Sequence, residues 1–265
     1  MRIRNSLLMM AILGLFGIVV CTDCRKSSPP KKDGSEGAPS KSDAPVLDEK
    51  IKKVFVELTA RWDQLQAFSA ALNTELSQAA GKPGKTKGKG TYAWAKRGDK
   101  RLIRIDLANS LLIHHGDAEG TQTGEILVFV YDGEFLYSQL QQPIDFKQTT
   151  KSRYEPHRIL QVGGQELFSG LAEANTLKMN AEEFVDGRAA YVVEATPISG
   201  KGSSVYYFDK QTGAQLKLIV HDGTGKVTLT LTLSELNTAP EFGEDYFTYK
   251  LPDGFELIDK SQEEP

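Results

Sequence analysis

The chain has 265 residues, 40% of them hydrophobic and 25% charged, with a formal net charge of −3. Those proportions exclude a disordered, collagen-like or polytopic membrane protein, and the slight acidity lacks the basic surface that nucleic-acid binding wants. Both cysteines, Cys21 and Cys24, fall near the N-terminus, so the remainder offers no disulfide, thiol nucleophile or cysteine-based metal site.

Arg2 and Arg4 precede an apolar run from Leu7 to Val20. A membrane span takes about 20 apolar residues, so this run is short for a span and suits the core of an export signal. Ile18-Val19-Val20-Cys21 resembles the lipobox at which bacterial lipoproteins are lipidated, with Val20 where that pattern has Gly, Ala or Ser. Residues 1–24 therefore read as an export segment with three outcomes open. These are a lipid on Cys21 (Cys24, after Asp23, fits less well), an uncleaved anchor, or a Cys21–Cys24 pair. Each places the protein outside the bacterial cytoplasm, and the expected location is the cell envelope, facing the periplasm and anchored to a membrane as a lipoprotein. Residues 25–45 (RKSSPPKKDGSEGAPSKSDAP) hold almost no apolar side chain and cannot bury enough surface to offset ordering. They read as a disordered linker spanning roughly 25 Å. The folded domain is expected over 46–265.

From Leu47 an amphipathic helix is expected. Leu47, Ile51, Val54, Phe55, Leu58, Trp62 and Leu65 recur at spacings of three and four, with Asp48, Glu49, Lys52, Lys53, Glu57 and Arg61 opposite. Its stripe either packs a core or plugs a concave sheet and lines a ligand cavity there. After Gln66 the period looks more like two, with helix continuation still open. Strands are expected at 90–97, 101–107, 126–131, 134–140, 189–196, 203–209, 214–221 and 226–236. Turn chemistry separates several of them: Asp132-Gly133, Asp186-Gly187, Gln211-Thr212-Gly213 and Asp222-Gly223-Thr224-Gly225. A short helix or two is expected within 156–175. The fold class is α+β: a highly curved antiparallel sheet of about nine to eleven strands, an unclosed barrel, wrapped around a few helices.

Three stretches carry a family resemblance. They are the helix to Leu65 followed by Phe68 and a hairpin ending Gly90-Thr91-Tyr92-Ala93-Trp94-Ala95-Lys96-Arg97, then Asp132-Gly133-Glu134-Phe135-Leu136-Tyr137, and the ending Phe247-Thr248-Tyr249-Lys250-Leu251-Pro252-Asp253-Gly254-Phe255-Glu256-Leu257. Tyr207-Phe208-Asp209 with Thr212-Gly213 adds a fourth. Together, over most of 46–260, they resemble the outer-membrane lipoprotein carrier superfamily (the LolA/LolB-like proteins). The resemblance implies an unclosed barrel with a helical lid over an apolar cavity that accepts acyl chains, and transport of lipoproteins between the two membranes. It also implies an arginine after the tryptophan-bearing strand that holds the lid. By position that is Arg97, followed by Gly98 where the family has Pro, with Arg101 and Arg104 as rivals. True carriers are soluble, whereas this chain is expected to carry an anchor and a long linker.

Trp62, Tyr92, Trp94, Phe129, Tyr131, Tyr137, Tyr206 and Phe208 are the candidate lining of such a cavity, or else core. No catalytic fingerprint is present. Of the four histidines, His114, His115, His157 and His221, the adjacent pair on a strand would face opposite ways. No enzyme, cofactor or metal is expected. The basic run Lys82, Lys85, Lys87, Lys89, Lys96, Arg97, Lys100, Arg101 and Arg104, with Asp99 its one acid, is either a solvated loop or a contact for anionic headgroups. The expected partners are lipoprotein acyl chains or phospholipid, and the membrane through the N-terminal anchor. The alternative function is a sensory or scaffold module of the same fold that binds an envelope protein and transports nothing.

Overall fold

A computed structural model describes residues 47–77, 84–115, 118–142, 146–153, 162–198 and 200–262, with side chains left out at 84 and 110–123. The export segment with Cys21, the linker, Lys82 and His157 lie outside the described residues, and so do the side chains of His114 and His115.

The first helix, α1 (Glu49–Gln64), starts where Asp48 accepts a hydrogen bond from the Lys50 N–H at 2.7 Å, satisfying one of the free donors of the first turn. It buries Ile51, Val54, Phe55, Leu58 and Trp62, the stripe that the spacing predicts, and ends as Leu65 turns extended with its N–H on the Trp62 carbonyl. The chain then enters β1 (Ala67–Ser77), which pairs along its whole length with β2 (Gly84–Arg97), from Ala67 opposite Ala95 to Ser77 opposite Lys85. The period-two reading of this stretch therefore holds, and the helix does not continue.

The meander goes on through β3 (Lys100–His115), β4 (Ala118–Tyr131), β5 (Leu136–Gln141) and β6 (Lys147–Ser152). After the second helix, α2 (Gln165–Ala174), come β7 (Asn175–Met179), β8 (Glu183–Val185), β9 (Arg188–Pro197), β10 (Ser203–Asp209), β11 (Gln215–His221), β12 (Val227–Asn237) and β13 (Glu256–Asp259). One sheet holds them all in the order β13-β6-β5-β4-β3-β2-β1-β12-β11-β10-β9-β7, with β8 also on β9. Thirteen strands among the described residues correct the expected nine to eleven. One pair departs from the antiparallel rule, because β13 runs parallel to β6. Parallel neighbours need a long crossover, and β13 arrives after one, along the back of the sheet.

Aspartates close the hairpins as the turn motifs imply. The Asp132 carboxylate accepts from the backbone of Glu134 and Phe135 at 2.9 and 2.8 Å. Asp209 takes both the N–H and the hydroxyl of Thr212, at 3.0 and 2.6 Å, and Asp222 takes those of Thr224. Curvature comes from irregular register. Bulges fall at Ser69/Ala71, Ala108/Ser110, Tyr207/Phe208 and Val220/His221, and each bends its strand. At Gly90 the sheet folds so tightly that a Cβ would stand 1.8 Å from the Asp106 carbonyl oxygen, so only glycine fits.

The result is an open, curved sheet with both helices in its hollow, the architecture that the resemblance to the lipoprotein carriers implies. Alternation sorts the side chains by face. The inner face carries Phe68, Ala70, Leu72, Tyr92, Trp94, Ile103, Ile105, Leu107, Leu127 and Phe129, and across β12 Leu229, Leu231 and Leu233, all in one core with the helices. A smaller cluster on the outer face gathers Ala93, Ala95, Leu102 and Phe247.

Candidate functional site

Two aromatic groups occupy the hollow. Where α1 ends, the Trp62 ring lies 4.9 Å from Trp94 and 5.7 Å from Phe68, and Phe68 stacks on Tyr92 at 5.3 Å. Nearer the middle of α1, Phe55 stacks at 4.8 Å on Phe168 of α2. Phe168 in turn meets Phe208 edge-on at 5.0 Å, and Phe208 stacks on Tyr206. Such offset and edge contacts add to area burial. Phe68 and Phe208 are wholly inaccessible. Burial also pushes the Tyr92 and Tyr206 hydroxyls well above the ordinary phenol range, so both stay neutral.

Of the candidate lining residues, the structure thus brings together Trp62, Tyr92 and Trp94 in one group and Tyr206 with Phe208 in the other. Phe129 joins the same core from β4, with Tyr131 half-buried at its margin. Tyr137 does not join them. It sits on the outer face of β5, stacked on Tyr249 at 4.8 Å, because its strand position alternates with the inward Leu136. Phe55, Phe68 and Phe168 complete the interior, although the candidate lining does not include them. Their signal is present in the sequence, since Phe55 lies in the helical stripe and Phe68 opens the period-two run.

The two helices meet through glycine. A Cβ on Gly163 would meet the Trp62 ring at 2.2 Å, so the backbone leading into α2 lies flat on the indole. Beyond that stacking, an ion pair ties α2 to the start of β3, beside the β2–β3 turn. Arg101 holds Glu166 with both guanidinium nitrogens, its Nη2 donating to Oε1 at 2.9 Å and its Nη1 to Oε2. Glu166 occupies the first turn of α2, where a carboxylate also meets the positive end of the helix, and its hydrogen bond pushes the Arg101 guanidinium up. Arg97 does something else: its Nη1 donates to the Glu244 carbonyl at 3.3 Å, on the opposite side of the sheet. The arginine that touches a helix is Arg101, one of its two rivals. The β2–β3 turn explains the exchange, since Arg97 continues the outward series Ala93, Ala95.

The outer face is covered differently. Residues 238–255 cross it, seating Phe247 on the small side chains Ala93 and Ala95, with Phe242 and Tyr246 stacked alongside. Arg104 grips Asp106 with two nitrogens, at 2.8 and 3.1 Å, and donates its third to the Tyr246 carbonyl at 3.2 Å. Between this strap and β4–β5 lies a hollow of about 340 Å³ lined by Arg104, Val128, Gln139, Thr248, Tyr249 and Pro252 among others. Its polar groups satisfy one another, the Tyr249 hydroxyl bonding Thr149 and Gln139. Among the described residues no group of His, Cys, Asp and Glu could hold a metal ion, and no helix is long and apolar enough to cross a membrane.

No family model matches the chain, and no curated protein does. Solved structures do. An uncharacterized conserved protein from Thermus thermophilus is 13% identical, with 80% of this chain and 100% of that chain covered at a TM-score of 0.48. The MucA/MucB complex of Pseudomonas aeruginosa matches at 18% identity over 76% of this chain and 61% of that one, TM-score 0.42. A putative outer membrane lipoprotein-sorting protein domain from Vibrio parahaemolyticus matches at 14% over 76% and 97%, TM-score 0.36.

Proposed function

We propose that this chain is an envelope protein that binds acyl chains in the hollow of its sheet, acting in the transport or sorting of lipoproteins toward the outer membrane. It would be anchored through Cys21 and held off the membrane by 25–45. The observation that carries this reading is the cover of the inner face. An aromatic lining made by Tyr92, Trp94, Phe129, Tyr206 and Phe208 is closed by two helices, one of them bearing Trp62, and not by a second sheet.

Burying an acyl chain yields about 0.8 kcal/mol per methylene, so an open apolar trough would hold lipid too tightly to release it. Helices that cover the same lining supply the opposing cost, because entry must displace them and part of the binding free energy goes into that opening. The Arg101–Glu166 pair suits a cover that moves. Both side chains are nearly half exposed, and such pairs contribute about 0.2–1 kcal/mol. Nothing in this mechanism calls for an enzyme or a cofactor. The full chain, purified from a bacterial envelope and exchanged into detergent, should retain one phospholipid or acylated peptide in native mass spectrometry and lose it on unfolding. A clean unliganded mass contradicts the reading.

A second reading has an observation of its own. The rings of the interior already pack on one another, with Phe68 and Phe208 at zero exposure. A filled interior suits a sensory or scaffold module that binds a protein partner, in the way that MucB is found in complex with MucA. Capture of an envelope partner by a chain that carries no lipid would put this reading first.

A further inference from the structure

Three connections share one end of the sheet. Leu76 of β1 pairs with Leu229 of β12 on one side and Thr86 of β2 on the other, so Val227, Lys226 and Lys85 all lie toward that end. The β9–β10 connection joins them: a Cβ on Gly202 would stand 2.3 Å from the His221 carbonyl oxygen, and one on Gly223 would stand 3.0 Å from Lys201 Cβ. Apolar side chains stand out there, Ile198 at 54% exposure and Val227 at 40%. Lys201 and Lys226 stand on the same connections, and Lys85, Lys87 and Lys89 run inward from this end along β2, all five exposed.

Among the described residues, the acids beside these connections are Glu75, Asp222, Glu194 and Glu173, the last in the helix turn whose Ala174 carbonyl accepts the Ile198 N–H at 3.1 Å. Glu75 is held by Lys85 at 2.6 Å. Asp222 is folded into its own turn, accepting from Thr224 and from the Lys226 N–H. Five lysines against four acids, three of them engaged, leave this end basic on a chain whose net charge is −3. Lys85, Lys87 and Lys89 alternate along β2 with their side chains on one face, an arrangement that presents like charge in a row. Exposed apolar side chains on connections that also carry ammonium groups fit the boundary between headgroup and acyl chain, where long cationic side chains reach phosphate while apolar ones dip below.

We propose that this end of the sheet docks on an anionic phospholipid surface, with Ile198 and Val227 entering the interface and the five lysines on the phosphates. The contact is separate from the N-terminal anchor and does not depend on the interior binding lipid. It would fix the direction in which an anchored domain faces its membrane. Hydrogen exchange on the full chain, reconstituted in vesicles of phosphatidylcholine alone or with phosphatidylglycerol, tests it locally. Protection is expected at 198–203 and 221–228 on the anionic vesicles only, and it should fade in high salt. Each of Lys87→Gln, Lys201→Gln and Lys226→Gln should weaken the engagement about fivefold, the equivalent of about 1 kcal/mol per lysine at such a surface. Ile198→Ser with Val227→Ser should remove the part that survives salt. Equal protection on neutral vesicles, or none on either, overturns the proposal. Lipid retention in native mass spectrometry reads the interior, so the two ideas fail separately.

Discussion

The two faces of this sheet are covered by opposite means. On the inner face, α1 and α2 lie on aromatic and aliphatic side chains, with the Arg101–Glu166 pair and two backbone hydrogen bonds, Gln215 N–H to the Val162 carbonyl and Ile198 N–H to the Ala174 carbonyl, at the ends of the segment that holds α2. On the outer face the strap 238–255 seats rings on alanines. Arg97 and Arg104 hold its carbonyls, and the chain then joins the sheet as β13 through a parallel ladder. Ladders and directed hydrogen bonds fix one geometry. Apolar packing has no preferred direction, and it can be exchanged for other apolar matter of similar volume. On the proposed reading, the same sheet has one side built to stay closed and one whose cover gives way to an acyl chain.

Breaking the inner side should show most in stability. Phe208→Ala removes a ring that touches Phe55, Phe168 and Tyr206, and a loss of about 3–5 kcal/mol is expected in urea denaturation. Phe247→Ala on the outer side should cost less, about 1–3 kcal/mol. Its exchange protection should fall in 238–262 and leave the inner strands as they were. Arg101→Leu should change global stability by no more than about 1 kcal/mol, since the pair is exposed, yet speed the uptake of a fluorescent fatty acid by loosening α2. Equal uptake rates would mean that the pair does not hold the cover.

Acid should act on the outer cover first. Asp245 is held below its ordinary 3.8 by Lys250, and Asp259 by Ser261 and then Lys151. A carboxylate with a lowered folded value contributes stability that is fully present above its ordinary value and lost as pH falls through the lowered one. Both residues belong to the strap or to β13, whereas the other carboxylates held low, Glu75 by Lys85 and Asp222 by Thr224, lie on β1 and in the β11–β12 turn. Pepsin should therefore nick 238–262 sooner at about pH 2 than at about pH 4, with the inner strands resisting. Cleavage within α1 or α2 ahead of the strap would reverse the comparison.

What can be read from the sequence follows the same division. The stripe of α1 and the hairpins closed by Asp132, Asp209 and Asp222 are legible because their signals are local: period, cap and turn. β6 (KQTTKS) and β7 (NTLKM) carry little alternation, because each is only partly buried on one face, and neither stands out as a strand. The strap is unreadable for another reason. Its role depends on Ala93, Ala95, Arg97 and Arg104 presenting a shallow seat, a relation between residues far apart in the chain. The placement of the arginines fails on the same point. Sequence order favours Arg97, whereas the β2–β3 turn sends Arg97 outward and leaves Arg101 within reach of Glu166.

The chain has two tryptophans, Trp62 and Trp94, and both stand in the interior with their rings 4.9 Å apart. Bromine quenches indole fluorescence only near contact, so titrating the full chain with a brominated fatty acid reports directly on whether an acyl chain enters. Saturable quenching at one fatty acid per chain, reversed by an unbrominated competitor, is the result expected of an acyl-chain site beneath the helices. Emission that stays unchanged at saturating fatty acid would mean that the interior is closed core, and the partner-binding reading would replace the carrier.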